Sequence, residues 1–203
     1  MKDLNREPTV YQTVRVIINT LRDPNEKRGN PGKLAALRNS AGKKYEAAME
    51  VWPLILPFMP EEFIGKGEPT FAEKAIYITL QLYAIGMQGT AKNVDMDEQS
   101  NSMGESLNAL RSNDSKAVDR RFNTLITAST FDEFAYHLRQ IFKLVKSKGS
   151  FSVNFPKLAE DLYWYQLGKN KQVCLKWAKD YYRRIYNSEK SEPTGNESVS
   201  ENN

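Results

Sequence analysis

Two of the side chains on which most enzyme chemistry depends occur once each in 203 residues, as Cys174 and His137. One thiol excludes an internal disulfide and any cysteine-based zinc cluster, which needs several thiolates at close spacing. One imidazole makes every Ser-His-Asp or Cys-His arrangement rest on His137, which falls inside a predicted helix and reads as a surface or partly packed side chain. Cys174, next to Val173, reads as a small buried hydrophobe. Glycine-rich phosphate loops are also missing, since Gly65-Lys66-Gly67 is short, follows no strand and reads as a turn. No metal or other cofactor is expected.

Long apolar runs are scarce as well. The longest, Ala75 to Met87, is too short and too interrupted to span a bilayer, and Met1 to Pro8 lacks the apolar core of a signal peptide. These features predict a cytoplasmic protein with no membrane partner. Strand signals are limited to a brief alternation over Ser150 to Asn154, and no Asn-Gly or Asp-Gly turn joins two alternating runs.

What the chain has in quantity is helical periodicity. Val10, Val14, Ile17, Ile18 and Leu21 predict an amphipathic helix over Thr9 to Leu21, ended by Asp23-Pro24. A polar loop follows, then a short helix from Lys33 to Arg38. Pro53 and Pro57 break the apolar stretch Tyr45 to Phe58 into short helical pieces. Thr70-Phe71-Ala72-Glu73 has the form of a capping box and opens a helix that is apolar on nearly every face, predicted to be central and buried. Gly86 to Ser100 reads as a linker. Helices are predicted over Ser102 to Arg111, Ser115 to Ala128, Thr130 to Ser147, Asn154 to Gly168 and Lys171 to Tyr186.

The expected fold class is all-α, two helical lobes or bundles sharing a compact core, with no significant β-sheet. One helical domain is expected over 9–187, divided into a half at 9–87, a linker at 88–101 and a bundle at 102–187. The remainder, 188–203, is rich in Ser, Glu and Asn and reads as a disordered acidic tail.

The formal net charge of +4 understates the basicity of the body. The tail holds Glu189, Glu192, Glu197 and Glu201 against Lys190, a net −3, which leaves the rest at +7. A surplus of that sign points to a polyanionic partner. Acidic pairs at Glu61-Glu62 and Asp132-Glu133 fall in predicted first helical turns, where carboxylates complement the dipole. The aromatics Tyr163, Trp164, Tyr165, Trp177, Tyr181 and Tyr182 recur at helical spacing and read mainly as core.

The basic residues form the more informative set. Arg120 and Arg121 flank the inward-facing Val118 and Phe122 near the solvent edge. Between Phe134 and Ala159, Arg139, Lys143, Lys146, Lys148 and Lys157 precede any carboxylate, and Arg139, Lys143 and Lys146 recur at helical spacing along one stripe. Such a stripe suits a phosphate backbone, because each cation releases condensed counterions without any base contact. A solvated helix face is the alternative. A helix-turn-helix regulator fits poorly, because no helix pair joined by a three- or four-residue turn carries base-reading residues at the start of its second helix.

Ser102-Met103-Gly104-Glu105-Ser106-Leu107-Asn108-Ala109-Leu110-Arg111, Asp119-Arg120-Arg121-Phe122-Asn123-Thr124-Leu125-Ile126-Thr127-Ala128, His137-Leu138-Arg139-Gln140-Ile141 and Phe155 to Trp164 follow in order, with Trp177 and Tyr181 closing the pattern. Together they resemble the CasB family, the small subunit of the type I-E CRISPR Cascade complex. Leu34-Ala35-Ala36-Leu37-Arg38 matches a second family signature. The likeness spans roughly Thr9 to Tyr186.

The resemblance implies an all-helical, non-enzymatic protein, paired head to tail with a second copy of itself beside the other Cascade protein subunits. It implies binding to crRNA and target DNA, including the displaced non-target strand, so as to stabilise the R-loop. Family basic positions fall on Arg38, Arg120, Arg121 and Arg139, and Lys169 and Lys171 fall where relatives tend to be basic. Lys143 and Lys146 extend the stripe by helix geometry, and Arg38 stands apart in the first half. Glu105 and Gln140 depart from positions that are often basic. A purely structural adaptor, its cations facing acidic patches on partner proteins, is the rival reading.

Overall fold

The structure, a computed structural model, describes residues 9–22, 30–89, 94–95, 102–108, 116–147 and 152–183. Among these the chain is helical and contains no strand, as the periodicity predicts. Its one β-like feature is an isolated parallel bridge between Asp95 and Val153, and Val153 lies in the stretch that showed brief alternation.

Helix α1 (Val10–Leu21) begins where a capping box closes. The Thr9 hydroxyl accepts from the Gln12 amide at 3.1 Å, and the Gln12 side chain accepts from the Thr9 amide at 3.2 Å. The inner face of α1, built on Val14, Ile17, Ile18 and Leu21, is buried. Helix α2 (Pro31–Asn39) starts two residues before its predicted position, because the Asn30 side chain accepts from the Lys33 amide and Pro31 supplies a preset first turn. Pro53 and Pro57 divide the next segment into single turns of tight helix at Tyr45–Ala47, Met49–Val51, Leu56–Phe58 and Glu61–Phe63, around a four-residue α3 (Trp52–Ile55).

Helix α4 (Phe71–Met87) opens at the predicted Thr70–Glu73 capping box, and every residue from Ala75 to Met87 is buried. Helices α5 (Met103–Asn108), α6 (Lys116–Ile126), α7 (Phe131–Ser147), α8 (Phe155–Trp164) and α9 (Asn170–Tyr182) follow. The segment predicted as one helix to Gly168 ends as α8 at Trp164 and continues as a wider turn over Tyr165–Lys169. There Gly168 takes φ +80°, a left-handed conformation that breaks the axis. The predicted extensions over 109–111 and 184–186, and the tail at 188–203, lie outside the described residues.

One hydrophobic cluster draws on both halves of the chain. Helix α8 packs against α1 and α4, α2 lies on α4, α6 pairs with α7, and α5 lies along α9. Within the expected linker, Val94 is buried, its carbonyl accepts from Val153 at 2.9 Å, and Asp95 binds Arg22 at 2.7 Å.

The α5–α9 contact is very close. A Cβ on Gly104 would fall 2.2 Å from the Trp177 carbonyl oxygen, so only glycine admits this approach. Around it, Ser102 donates to Asp180 at 2.6 Å, and the Asn108 amide donates to the carbonyls of Tyr181 at 2.6 Å and Arg183 at 2.9 Å. The Trp177 indole, fully buried, donates to Asp161 on α8 at 2.7 Å. Gly104→Ala is expected to lower stability by about 1–3 kcal/mol through overpacking. Urea unfolding of the purified variant checks this, as a fall in midpoint with an unchanged slope.

Candidate nucleic-acid interface

The basic residues singled out in the sequence divide into three groups. Arg38 on α2 and Lys143 and Lys146 on α7 line an open cleft of about 530 Å³, together with Asn39, Ala41, Ile85, Gln88 and Ser147. Arg38, which the sequence sets apart from the α7 stripe, therefore stands beside it. The meeting follows from packing: α2 and α7 both lie against α4, one from each half of the chain.

Lys146 has a structural task in this cleft. Its ammonium donates to the Ile85 carbonyl, three residues from the start of the loop that follows α4. That oxygen lies in the last turn of the helix, where it also accepts from the Gln88 amide at 3.2 Å and where the dipole favours a cation. Burial pushes the Lys146 pKa down, and the charge of Arg38 adds to the shift.

Arg139, one turn before Lys143, opens into a neighbouring cleft of about 300 Å³ with Lys43, Lys44 and Lys74 on its walls. Its guanidinium is half-buried, and burial lowers its pKa against the opposing influence of Tyr77 and Asp132. The walls also carry Glu46 and Asp132, so this second cleft has mixed charge. Lys43 pairs with Glu50 at 2.8 Å, while the Tyr77 hydroxyl donates to the Ser40 carbonyl at 3.0 Å.

Arg120 and Arg121 are exposed on the outer face of α6, and Lys169 and Lys171 are exposed at the kink before α9 and in its first turn. Neither pair lines the two clefts. Sequence reading missed Lys44 and Lys74 as individual candidates. Lys44 closes a segment, Arg22 to Lys44, that holds seven basic residues against Asp23 and Glu26, whereas no sequence signal marks Lys74.

Other side chains have local roles. Lys157 bonds Glu160 and lies 3.4 Å from Asp161, so it is withdrawn from any cationic surface. Glu105, a departure from the resembled pattern, lies 3.4 Å from Arg183 and accepts from the Ser102 amide at 3.3 Å. His137 is partly buried, with Nε2 3.7 Å from Glu133. Cys174 is half-buried at the edge of the core, not inside it as expected, and burial pushes its thiol pKa up. Among the aromatics, Tyr165, Trp177 and Tyr181 are core, whereas Trp164 and Tyr182 are more than two-fifths exposed. Among the described residues no three His, Cys, Asp or Glu side chains are grouped to hold a metal ion, and no helix is long and apolar enough to cross a membrane.

Fold and surface define an all-helical protein built on one core, with cations from distant parts of the sequence gathered into surface clefts. Residues 33–182 match the model of the CRISPR-associated protein Cse2 family, and the chain belongs to that family. The solved structure of CasB from Thermobifida fusca is similar, with a TM-score of 0.64 and 25% identity over 86% of this chain and 96% of that one. A Cse2-family CRISPR-associated protein from Thermus thermophilus aligns with a TM-score of 0.63 and 20% identity, over 87% of this chain and 99% of its own. A structure of CasB from the same species gives 0.61 and 22% with the same coverage. Among curated proteins there is no sequence match. The family is one of CRISPR-associated proteins.

The Lys146 environment has a measurable consequence. Its ammonium should titrate below the ordinary lysine range, observed by NMR at the lysine Nζ and Cε positions. Arg38→Ala should raise the midpoint only part of the way, since burial is the larger cause. The unfolded chain binds this proton more tightly, so stability rises with pH between the folded-state midpoint and the ordinary lysine value.

Proposed function

We propose that this protein is the non-catalytic small subunit of a type I-E CRISPR guide-RNA complex, acting in the cytoplasm in antiviral defence. Its basic helix faces bind nucleic acid and stabilise the R-loop, in which a guide–target duplex replaces a DNA duplex and one strand is displaced. Its partners are the other Cascade subunits, a second copy of itself, the crRNA and the target DNA. The observation that carries this reading, beside family membership, is the convergence of Arg38, Lys143 and Lys146 on one open cleft.

The physics of strand exchange supports such a role. The heteroduplex formed is about as stable as the duplex it replaces, so modest contacts to the backbone shift the balance. A cleft whose basic residues come from two helices offers phosphates a cationic path, and each phosphate neutralised releases counterions. Arg120 and Arg121 form a second exposed contact on α6, and Arg139, Lys169 and Lys171 complete the proposed set. Lys146 contributes charge while remaining bonded to Ile85.

Salt dependence separates this reading from a protein-binding adaptor. The affinity of the assembled complex for a displaced single strand should fall steeply with salt on a log-log plot. Arg38→Ala with Lys143→Ala should flatten the slope by about 0.7 for each phosphate left without its cation, and Arg120→Ala with Arg121→Ala should act likewise. Unchanged slopes in both double variants would favour the adaptor.

A further inference from the structure

One pocket differs in character from the basic clefts. Tyr45, Glu46, Trp52, Leu56, Ile64, Gly65, Gly67, Pro69 and Glu73 enclose about 250 Å³ beside the first turn of α4, and no lysine or arginine lines it. Lys66, between the two glycines, is exposed and is not part of the wall. Two aromatic rings and two carboxylates therefore face a space with no cation of its own.

Glu73 is the principal group. It is 4% exposed, and its Oε2 accepts from the Thr70 amide at 2.7 Å and the Gly65 amide at 3.1 Å. Oε1 takes part in neither bond. Gly65 permits this crowding, since a Cβ there would lie 2.3 Å from the Glu68 carbonyl oxygen.

Beside it, the Tyr45 ring lies 6.0 Å from that of Trp52 at an angle of 40°, and the indole is held in place by its bond to the Tyr45 carbonyl at 3.1 Å. Tyr45 is 7% exposed, and its buried hydroxyl lies against the Glu73 carboxylate; burial and that charge push the Tyr45 pKa up. Glu46 is exposed on the rim shared with the Arg139 cleft.

We infer that this pocket receives a cationic side chain, arginine or lysine, from a neighbouring protein chain, held between the Trp52–Tyr45 wall and the carboxylates of Glu73 and Glu46. A cation over an aromatic face is attracted by the ring quadrupole, and a charge-assisted bond to a buried carboxylate strengthens as water leaves. The same carboxylates repel phosphate, so this face does not suit a nucleic acid strand. Leu56 and the 37% exposed Ile64 supply an apolar wall for the aliphatic stem of the side chain. The pocket chemistry is independent of the nucleic-acid reading, whereas the existence of the assembly rests on it.

The Trp52 indole N–H signal of the full-length protein, followed by NMR, is the first readout, with N-acetyl-arginine amide, N-acetyl-lysine amide and N-acetyl-norleucine amide as probes. A cationic probe should shift the signal saturably and bind at least about tenfold more tightly than the neutral one, a factor within reach of a partly desolvated cation site. Glu73→Gln should remove this preference while keeping the helix cap, because glutamine serves at that capping position. Glu46→Gln, at an exposed position, should weaken binding of the cationic probe severalfold. Equal binding of the neutral probe, no shift with any probe, or indifference to both substitutions overturns the cation site.

The second readout is carbodiimide labelling of Glu46 in the free chain and in the protein–guide RNA complex without target DNA. Strong protection in the complex is expected. Equal labelling overturns the protein-partner assignment, and so does loss of protection in a complex carrying Arg139→Ala, because Glu46 also borders the Arg139 cleft.

Discussion

A helix that is apolar on all sides cannot stand at a surface, and α4 is such a helix from Ala75 onward. At about 25 cal/mol per Å² of apolar area removed from water, leaving any face of it wet would be costly. Enclosing it requires more neighbours than the first half of the chain supplies. Helices α1 and α2 cover part of it, and α7 and α8 return from the second half to cover more. The joint core and the meeting of Arg38 with Lys143 and Lys146 both follow from that requirement.

Much of the local structure is legible in the sequence because it depends on groups three or four residues apart. The Thr70–Glu73 box, the proline breaks at 53 and 57 and the Val118–Phe122–Leu125 face of α6 each need only local information. The earlier start of α2 is visible only when Asn30 and Pro31 are read together as cap and first turn. The break after Trp164 is harder to read. A lone glycine in a helical pattern is often tolerated, and only the left-handed backbone at Gly168 shows that the axis is interrupted there.

The candidate site was legible in its residue types and not in its grouping. Helical spacing relates Arg139, Lys143 and Lys146 to one another, but relating them to Arg38 requires knowing that α2 and α7 both lie on α4. Burial adds a distinction that sequence cannot make. Lys157 belongs to the same basic run, yet Glu160 and Asp161 engage it, whereas Lys143 is exposed at the cleft. The glycine of the α5 signature gains its physical meaning in the same way, from a Trp177 backbone more than seventy positions away in the chain.

Helix α7 has Phe134, Leu138, Ile141 and Phe142 in the core and Arg139 and Lys143 turned toward the two clefts. Four residues of α-helix rise about 6 Å. Anchored by its inner face, α7 therefore acts as a ruler whose charged marks keep their spacing while the solvent side is free to engage. A ligand that meets those marks encounters a preset interval, and the entropy of arranging the cations has already been spent in folding.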